Sequence, residues 1–164
     1  MTVSALAANV LAELTRRGQT LASAESLTGG MIGALLTDIP GASDSYLGGV
    51  ISYATRLKAT LAGVDVATLA ELGPVAAGTA VEMAHGVAQR CGADWGLATT
   101  GVAGPVAQDG HPVGQVFVAV SYQASDLSSV RELLLQGDRA MIRQLSATAA
   151  LGLLAEALGL SSHI

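Results

Sequence analysis

Leu6, Val10, Leu11 and Leu14 recur at three- and four-residue intervals, which predicts a helix over residues 4–17. Arg16 and Arg17 suit its negative C-terminal end, and Gly18 its stop. Gln19 to Glu25 reads as a short strand, and Thr28-Gly29-Gly30 opens a second helix through Thr37, closed by Asp38, Ile39, Pro40 and Gly41. Gly49 to Tyr53 is a further strand, followed by a helical turn carrying Arg56, Leu57 and Lys58. Past the Gly73-Pro74 break, Ala76 to Arg90 forms a small-residue helix that ends at Cys91-Gly92. Asp94 to Thr99 has the make-up of a buried strand, and 101–114 that of a glycine- and proline-containing loop. The β-prone run Gln115 to Tyr122 can pair with Val130 to Leu135 as a hairpin. Asp138 suits the N-cap of a last helix that reaches about Leu158. Helices and strands alternate first and two strands adjoin late, which predicts an α/β fold: a three-layer α/β/α sandwich around a mixed β-sheet, one domain over 1–164.

Composition narrows the function classes. The 164 residues are 51% hydrophobic and 13% charged, with a mean hydropathy of +0.51, which excludes a disordered chain. The apolar stretches fall short of the roughly 20 residues of a membrane span, and no signal-peptide layout opens the chain. One cysteine, Cys91, excludes an internal disulfide framework and suits a reducing cytoplasm. A net charge of −5 and a pI near 4.9 argue against nucleic-acid binding. Abundant apolar residues with few charges suggest surface buried between subunits, hence a homodimer.

Few residues offer chemistry. His85, His111 and His163 lack metal-ligand spacing; His85 reads as a surface position on a helix and His163 as part of a frayed tail. Cys91 reads as a buried or capping residue. Of eight basic residues seven are arginine, and Lys58 is the only lysine. It falls where a strand gives way to a helix, and lysine, unlike arginine, can be tuned by burial into a base. Ser43 and Ser45 precede the strand that Tyr53 ends, so a lysine-activated serine with a nearby tyrosine is one reading, and simple helix capping by the serines is the other. The segment 24–30, with Ser26, Thr28 and Gly29, runs from strand to helix and suits a phosphate or carboxylate, or merely packs closely. Thr100 and Gly101 follow another strand end, and Arg139 begins the last helix, where its charge opposes the dipole.

In order and spacing, Ala24 to Gly30, Pro40 to Ser43 with Gly48-Gly49-Val50, Tyr53 and Lys58, Thr100 to Pro105 with Pro112-Val113-Gly114, and Gly137-Asp138-Arg139 resemble the C-terminal domain of the competence/damage-inducible protein CinA. That family includes stand-alone nicotinamide mononucleotide deamidases, and the resemblance runs from about Leu11 to Leu158 without space for CinA's larger N-terminal domain. It implies hydrolysis of the nucleotide's carboxamide to nicotinic acid mononucleotide and ammonia, with no metal and no cofactor; charge and the short apolar stretches leave neither nucleic acid nor membrane as an expected partner. Carried onto this chain, it implies Ser43 as nucleophile, Lys58 as its base and Tyr53 as a catalytic neighbour. Ser26, Thr28, Gly29, Thr100, Gly101 and Arg139 would bind substrate, Arg139 through an anionic group. Ser26 is the alternative acylated serine. The loop Val106 to His111 is less acidic than the family pattern, and Ala42 stands where a second serine is common.

Such chemistry needs a base of lowered pKa and donors for an oxyanion. Arg56 or Arg139 is the expected cation beside Lys58, and the N–H groups of Ala42 to Asp44 are the expected oxyanion hole. Two other classes stay open: a serine/lysine amidase for another small carboxamide, and a non-catalytic binding module linked to competence or damage.

Overall fold

Large and small residues alternate along the central strands, and that alternation sorts the helices into two layers. Leu21, Trp95, Leu97, Val116, Val118 and Val120 face one side of the sheet, whereas Ala22, Ala24, Ala98, Phe117 and Ala119 face the other. In a computed structural model, which describes residues 1–161, the elements run α1 (Val3–Arg17), β1 (Leu21–Glu25), α2 (Met31–Thr37), β2 (Tyr46–Ile51), α3 (Thr55–Thr60), α4 (Val66–Leu72), α5 (Ala77–Cys91), β3 (Trp95–Gly101), β4 (Gln115–Tyr122), β5 (Ser128–Leu134) and α6 (Arg139–Ala157). His163 lies outside the described residues.

The sheet order is β2-β1-β3-β4-β5; β2, β1 and β3 are parallel, and β4 and β5 complete the sheet antiparallel. α1, α2 and α6 cover the face of large side chains, and α5 covers the alanine face. The fold is thus the predicted three-layer sandwich around a mixed sheet. Small residues let α5 approach closely: a Cβ at Gly96 would run into the Ala84 carbonyl, and one at Gly86 into that of Ala62.

Several boundaries differ from the sequence reading for local reasons. β2 starts at Tyr46 rather than at Gly49 and ends before Ser52. Its first residue is anchored by a 2.7 Å hydrogen bond between the Tyr46 and Ser23 hydroxyls. α2 starts at Met31, because Gly29 and Gly30 adopt φ of +56° and +100° and form a turn. α4 escapes the pattern because its seven residues are too few for a repeat and none is fully buried, Leu69 alone packing half-buried against the core. Its N-cap Asp65 accepts from the Ala67 N–H, and Glu82 on α5 takes the Thr68 hydroxyl at 2.6 Å. Asp138 caps α6 as expected, accepting from the Met141 N–H at 2.8 Å. Among the described residues no helix is long and apolar enough to cross a membrane.

β1, β2 and β3 run in one direction with β1 between the other two, so the connection from β1 to β2 and the one from β2 back over β1 to β3 move in opposite directions across the sheet. The C-terminal ends of these strands therefore face a common crevice at a topological switch point. Ser26, Ser52 with Tyr53, and the segment after Gly101 all emerge there.

Candidate active site at the ends of the parallel strands

The short helix α3 turns the chain back after β2 and points Lys58 inward, leaving it 2% exposed. Its Nζ donates to Ser26 Oγ at 2.9 Å, to the Ser52 carbonyl at 2.9 Å and to the Tyr53 carbonyl at 3.5 Å. Burial lowers its pKa from 10.5 to about 8, since an ammonium loses hydration there. The expectation that Arg56 or Arg139 depresses this lysine is corrected: desolvation is the cause, and Arg56 is exposed on α3. Once deprotonated, an amine held by two carbonyl acceptors keeps two N–H bonds and directs its lone pair at the third neighbour, Ser26.

Ser26 follows β1 directly and is 7% exposed. Its N–H donates to the Thr99 carbonyl at 3.1 Å, tying it to the end of β3. Two residues on, Thr28 is fully buried, its hydroxyl 2.8 Å from that of Thr99. Glu25, also buried, accepts the N–H groups of Gly30, Ile32 and Gly33 at 3.0–3.1 Å. The chain's own carboxylate thus occupies the N–H groups of Gly30, Ile32 and Gly33, so those donors at the start of α2 are not open to an anion; the Leu27 and Thr28 N–H groups are not among them. Gly29 stands against Arg143, where a Cβ would come within 3.2 Å of Nη2.

A cavity of about 270 Å³ opens beside the Ser26–Lys58 pair. Thr100 and Gly101 line it, and the Thr100 hydroxyl donates to the Pro74 carbonyl at 2.6 Å, fixing another part of the wall. Tyr53 is 59% exposed at the rim, and its hydroxyl accepts from Arg139 Nη2 at 3.0 Å. Arg139 Nη1 donates to the Gly104 carbonyl at 2.6 Å, so this side chain spans the rim with three N–H positions left for a ligand. Lys58 and Arg139 are the charged residues of the lining, which holds no carboxylate although the chain as a whole is acidic.

Ser43 is not brought to Lys58. It lies in a single 3-10 turn, Ala42–Asp44, before β2, at the end of the sheet where the Leu21 N–H donates to the Ser45 carbonyl. The six residues of β2 separate that end from Ser52 by roughly 20 Å. The expected oxyanion donors of Ala42 to Asp44 are displaced with it, and the N–H groups of Ala42 and Asp44 already serve the Ile39 and Gly41 carbonyls. Sequence reasoning also missed the Ser52 and Tyr53 carbonyls, because a backbone acceptor has no signature in residue type.

The sequence profile of the CinA C-terminal domain matches residues 3–158. A CinA-like protein of Frankia casuarinae is 48% identical over 144 residues, covering 88% of this chain and 33% of that protein. A CinA-like protein of Synechocystis sp. is 47% identical over 150 residues, 89% of this chain and 36% of that one. The chain thus spans about a third of the length of these curated relatives. Among solved structures, the competence/damage-inducible protein CihA from Agrobacterium tumefaciens superposes with a TM-score of 0.90 at 33% identity, covering 96% of this chain and 95% of that one. The competence damage-inducible protein A (ComA) from Klebsiella pneumoniae gives 0.92 at 30% identity, with 97% and 98% covered.

Proposed function

The chain belongs to the CinA C-terminal domain family, and we propose that it is a metal-independent amidohydrolase that removes ammonia from the carboxamide of nicotinamide mononucleotide. The observation that carries the chemistry is the buried Lys58 Nζ, 2.9 Å from Ser26 Oγ with its pKa lowered to about 8. That contact supports Ser26, rather than Ser43, as the nucleophile. The reading of the substrate is supported by the resemblance and by Arg139, a cation with spare donors on a lining that holds no carboxylate, as the phosphate of an anionic nucleotide requires.

In this reading neutral Lys58 takes the Ser26 hydroxyl proton as Oγ bonds to the carboxamide carbon, whose oxygen becomes an oxyanion. Collapse of that intermediate breaks the C–N bond, and the Lys58 ammonium returns the proton to the departing nitrogen, which leaves as ammonia. Water then attacks the Ser26 ester while Lys58 accepts its proton. The C–Oγ bond breaks, Oγ regains the proton from Lys58, and the acid is released. The Ser52 and Tyr53 carbonyls hold the lysine in place through both halves. Arg139, already braced by Gly104 and Tyr53, offers its remaining N–H groups to the phosphate. We further propose that the protein works in the cytoplasm as a homodimer, supported by the exposed apolar Leu47 and Ile51 on edge strand β2.

Ammonia release from nicotinamide mononucleotide, with and without EDTA, tests the reading. Wild type should be active in both, and Lys58→Arg should lose at least about a hundredfold, because a guanidinium cannot act as base. Full activity in Lys58→Arg, or loss in EDTA, contradicts it.

A further inference from the structure

Arg143 lies one helical turn beyond Arg139 on α6 and outside the lining of the cavity. Its Nε donates to the Leu27 carbonyl at 2.9 Å and its Nη2 to the Thr28 carbonyl at 3.1 Å. No carboxylate pairs with it among the described residues. An arginine without an ion partner that places two donors on successive carbonyls is holding backbone, and the backbone it holds is the turn that follows Ser26.

That turn contains three peptide planes, all trans. In a trans peptide the carbonyl and the N–H point in opposite directions, so fixing one fixes the other. The Leu27–Thr28 plane is set by Arg143 Nε, which turns the Thr28 N–H away from the guanidinium. The Thr28–Gly29 plane is set by Arg143 Nη2 on one side and by the 3.1 Å bond from the Gly29 N–H to the Ser26 carbonyl on the other. That same bond orients the Ser26–Leu27 plane and with it the Leu27 N–H. Among the described residues neither the Leu27 nor the Thr28 N–H meets an acceptor, although Leu27 is buried and lines the cavity. Buried backbone N–H groups are nearly always paired, so the free one of Leu27, directly after a serine and on the cavity wall, is a donor kept for something that enters the cavity. In hydrolases whose nucleophile sits on a strand-to-helix turn, the N–H of the following residue supplies the oxyanion hole.

We propose that Arg143 is a positioning residue: by holding the Leu27 and Thr28 carbonyls, and through the Gly29 N–H bond to Ser26 the plane before Leu27, it keeps the Leu27 N–H directed at the oxyanion formed on Ser26. This rests on the reading of Ser26 as nucleophile and deepens it. The interaction matters only when charge develops on the substrate oxygen, so its loss should act on kcat and spare KM. The guanidinium is not itself in the cavity, and Lys58 is untouched, so the pH midpoint of activity should stay where it is.

The test compares wild type, Arg143→Met and Arg143→Lys by two readouts: turnover of nicotinamide mononucleotide, and the rate at which a fluorophosphonate modifies Ser26, followed by intact mass. Phosphonylation also builds negative charge on an oxygen beside Oγ and reports the same donor without an amide substrate. Arg143→Met should lower kcat by roughly 30- to 100-fold. KM should change by less than about twofold and the pH midpoint should hold. Labelling should slow in similar proportion. Arg143→Lys, which can still reach one carbonyl, should recover part of both. Wild-type labelling in Arg143→Met, or a loss confined to KM, overturns the proposal. If wild type labels at Ser26 and Arg143→Met slows it, but no ammonia is released from the nucleotide, the substrate assignment fails and the positioning role stands. Absence of labelling at Ser26 in wild type overturns both.

Discussion

Lys58 connects protonation, stability and activity in one side chain. Its folded pKa of about 8 lies below the ordinary 10.5, so between these values the unfolded chain binds a proton that the folded one does not. Stability therefore rises with pH across that window and is lowest below about 8, where the ammonium must be buried. The difference amounts to about 3 kcal/mol. Denaturant titrations of wild type and Lys58→Met from pH 7 to 10.5 should show wild type gaining roughly this much relative to the variant. The same group should govern catalysis with the matching sign. kcat/KM rises with pH to a plateau above about 8, as the neutral amine becomes available, and a pH–rate profile of the free enzyme measures it. A profile flat from pH 6 to 9 would exclude Lys58 as the base. At this scale the lysine was legible, because a single lysine among seven arginines stands out in composition. Its partners were less so: two are main-chain carbonyls, and the pKa shift arises from burial, which only packing determines.

Strand direction decides which serine meets that lysine. Ser26 follows β1 and Lys58 follows β2, and in parallel neighbours these two ends coincide. Ser43 precedes the same strand that Lys58 follows, so a strand's length keeps the two apart. The information was in the order of elements, but proximity in sequence, 43 against 58, obscured it. Helix and strand types were read well where an apolar period or a β-branched run was strong, as in α1, β4 and α6. They were missed in α4, a seven-residue helix with no fully buried residue. The tight seat of α5 gives another check on element packing. Gly96→Ala would place a methyl against the Ala84 carbonyl, a backbone atom, with no flexible side chain to yield. Urea unfolding should show a loss of roughly 1–3 kcal/mol or more, and an unchanged midpoint would mean that the helix can slide off β3.

For the molecule as a whole, a chain of net charge −5 lines its crevice without a carboxylate, and the switch in strand order puts that crevice at the carboxyl ends of three parallel strands. The sandwich and its mixed sheet could be inferred from alternating patterns along the chain. The assembly of the site could not, since Arg139, Tyr53 and Gly104 meet across more than 80 residues of sequence through the packing of α6. The whole arrangement gives Ser26 and Ser43 opposite fates. The direct comparison is therefore ammonia release from nicotinamide mononucleotide by Ser26→Ala and Ser43→Ala, side by side with wild type. Ser26→Ala should lose at least about a thousandfold in kcat while Ser43→Ala stays close to wild type; activity retained in Ser26→Ala, with its loss in Ser43→Ala, would contradict a site built on Lys58 and Ser26.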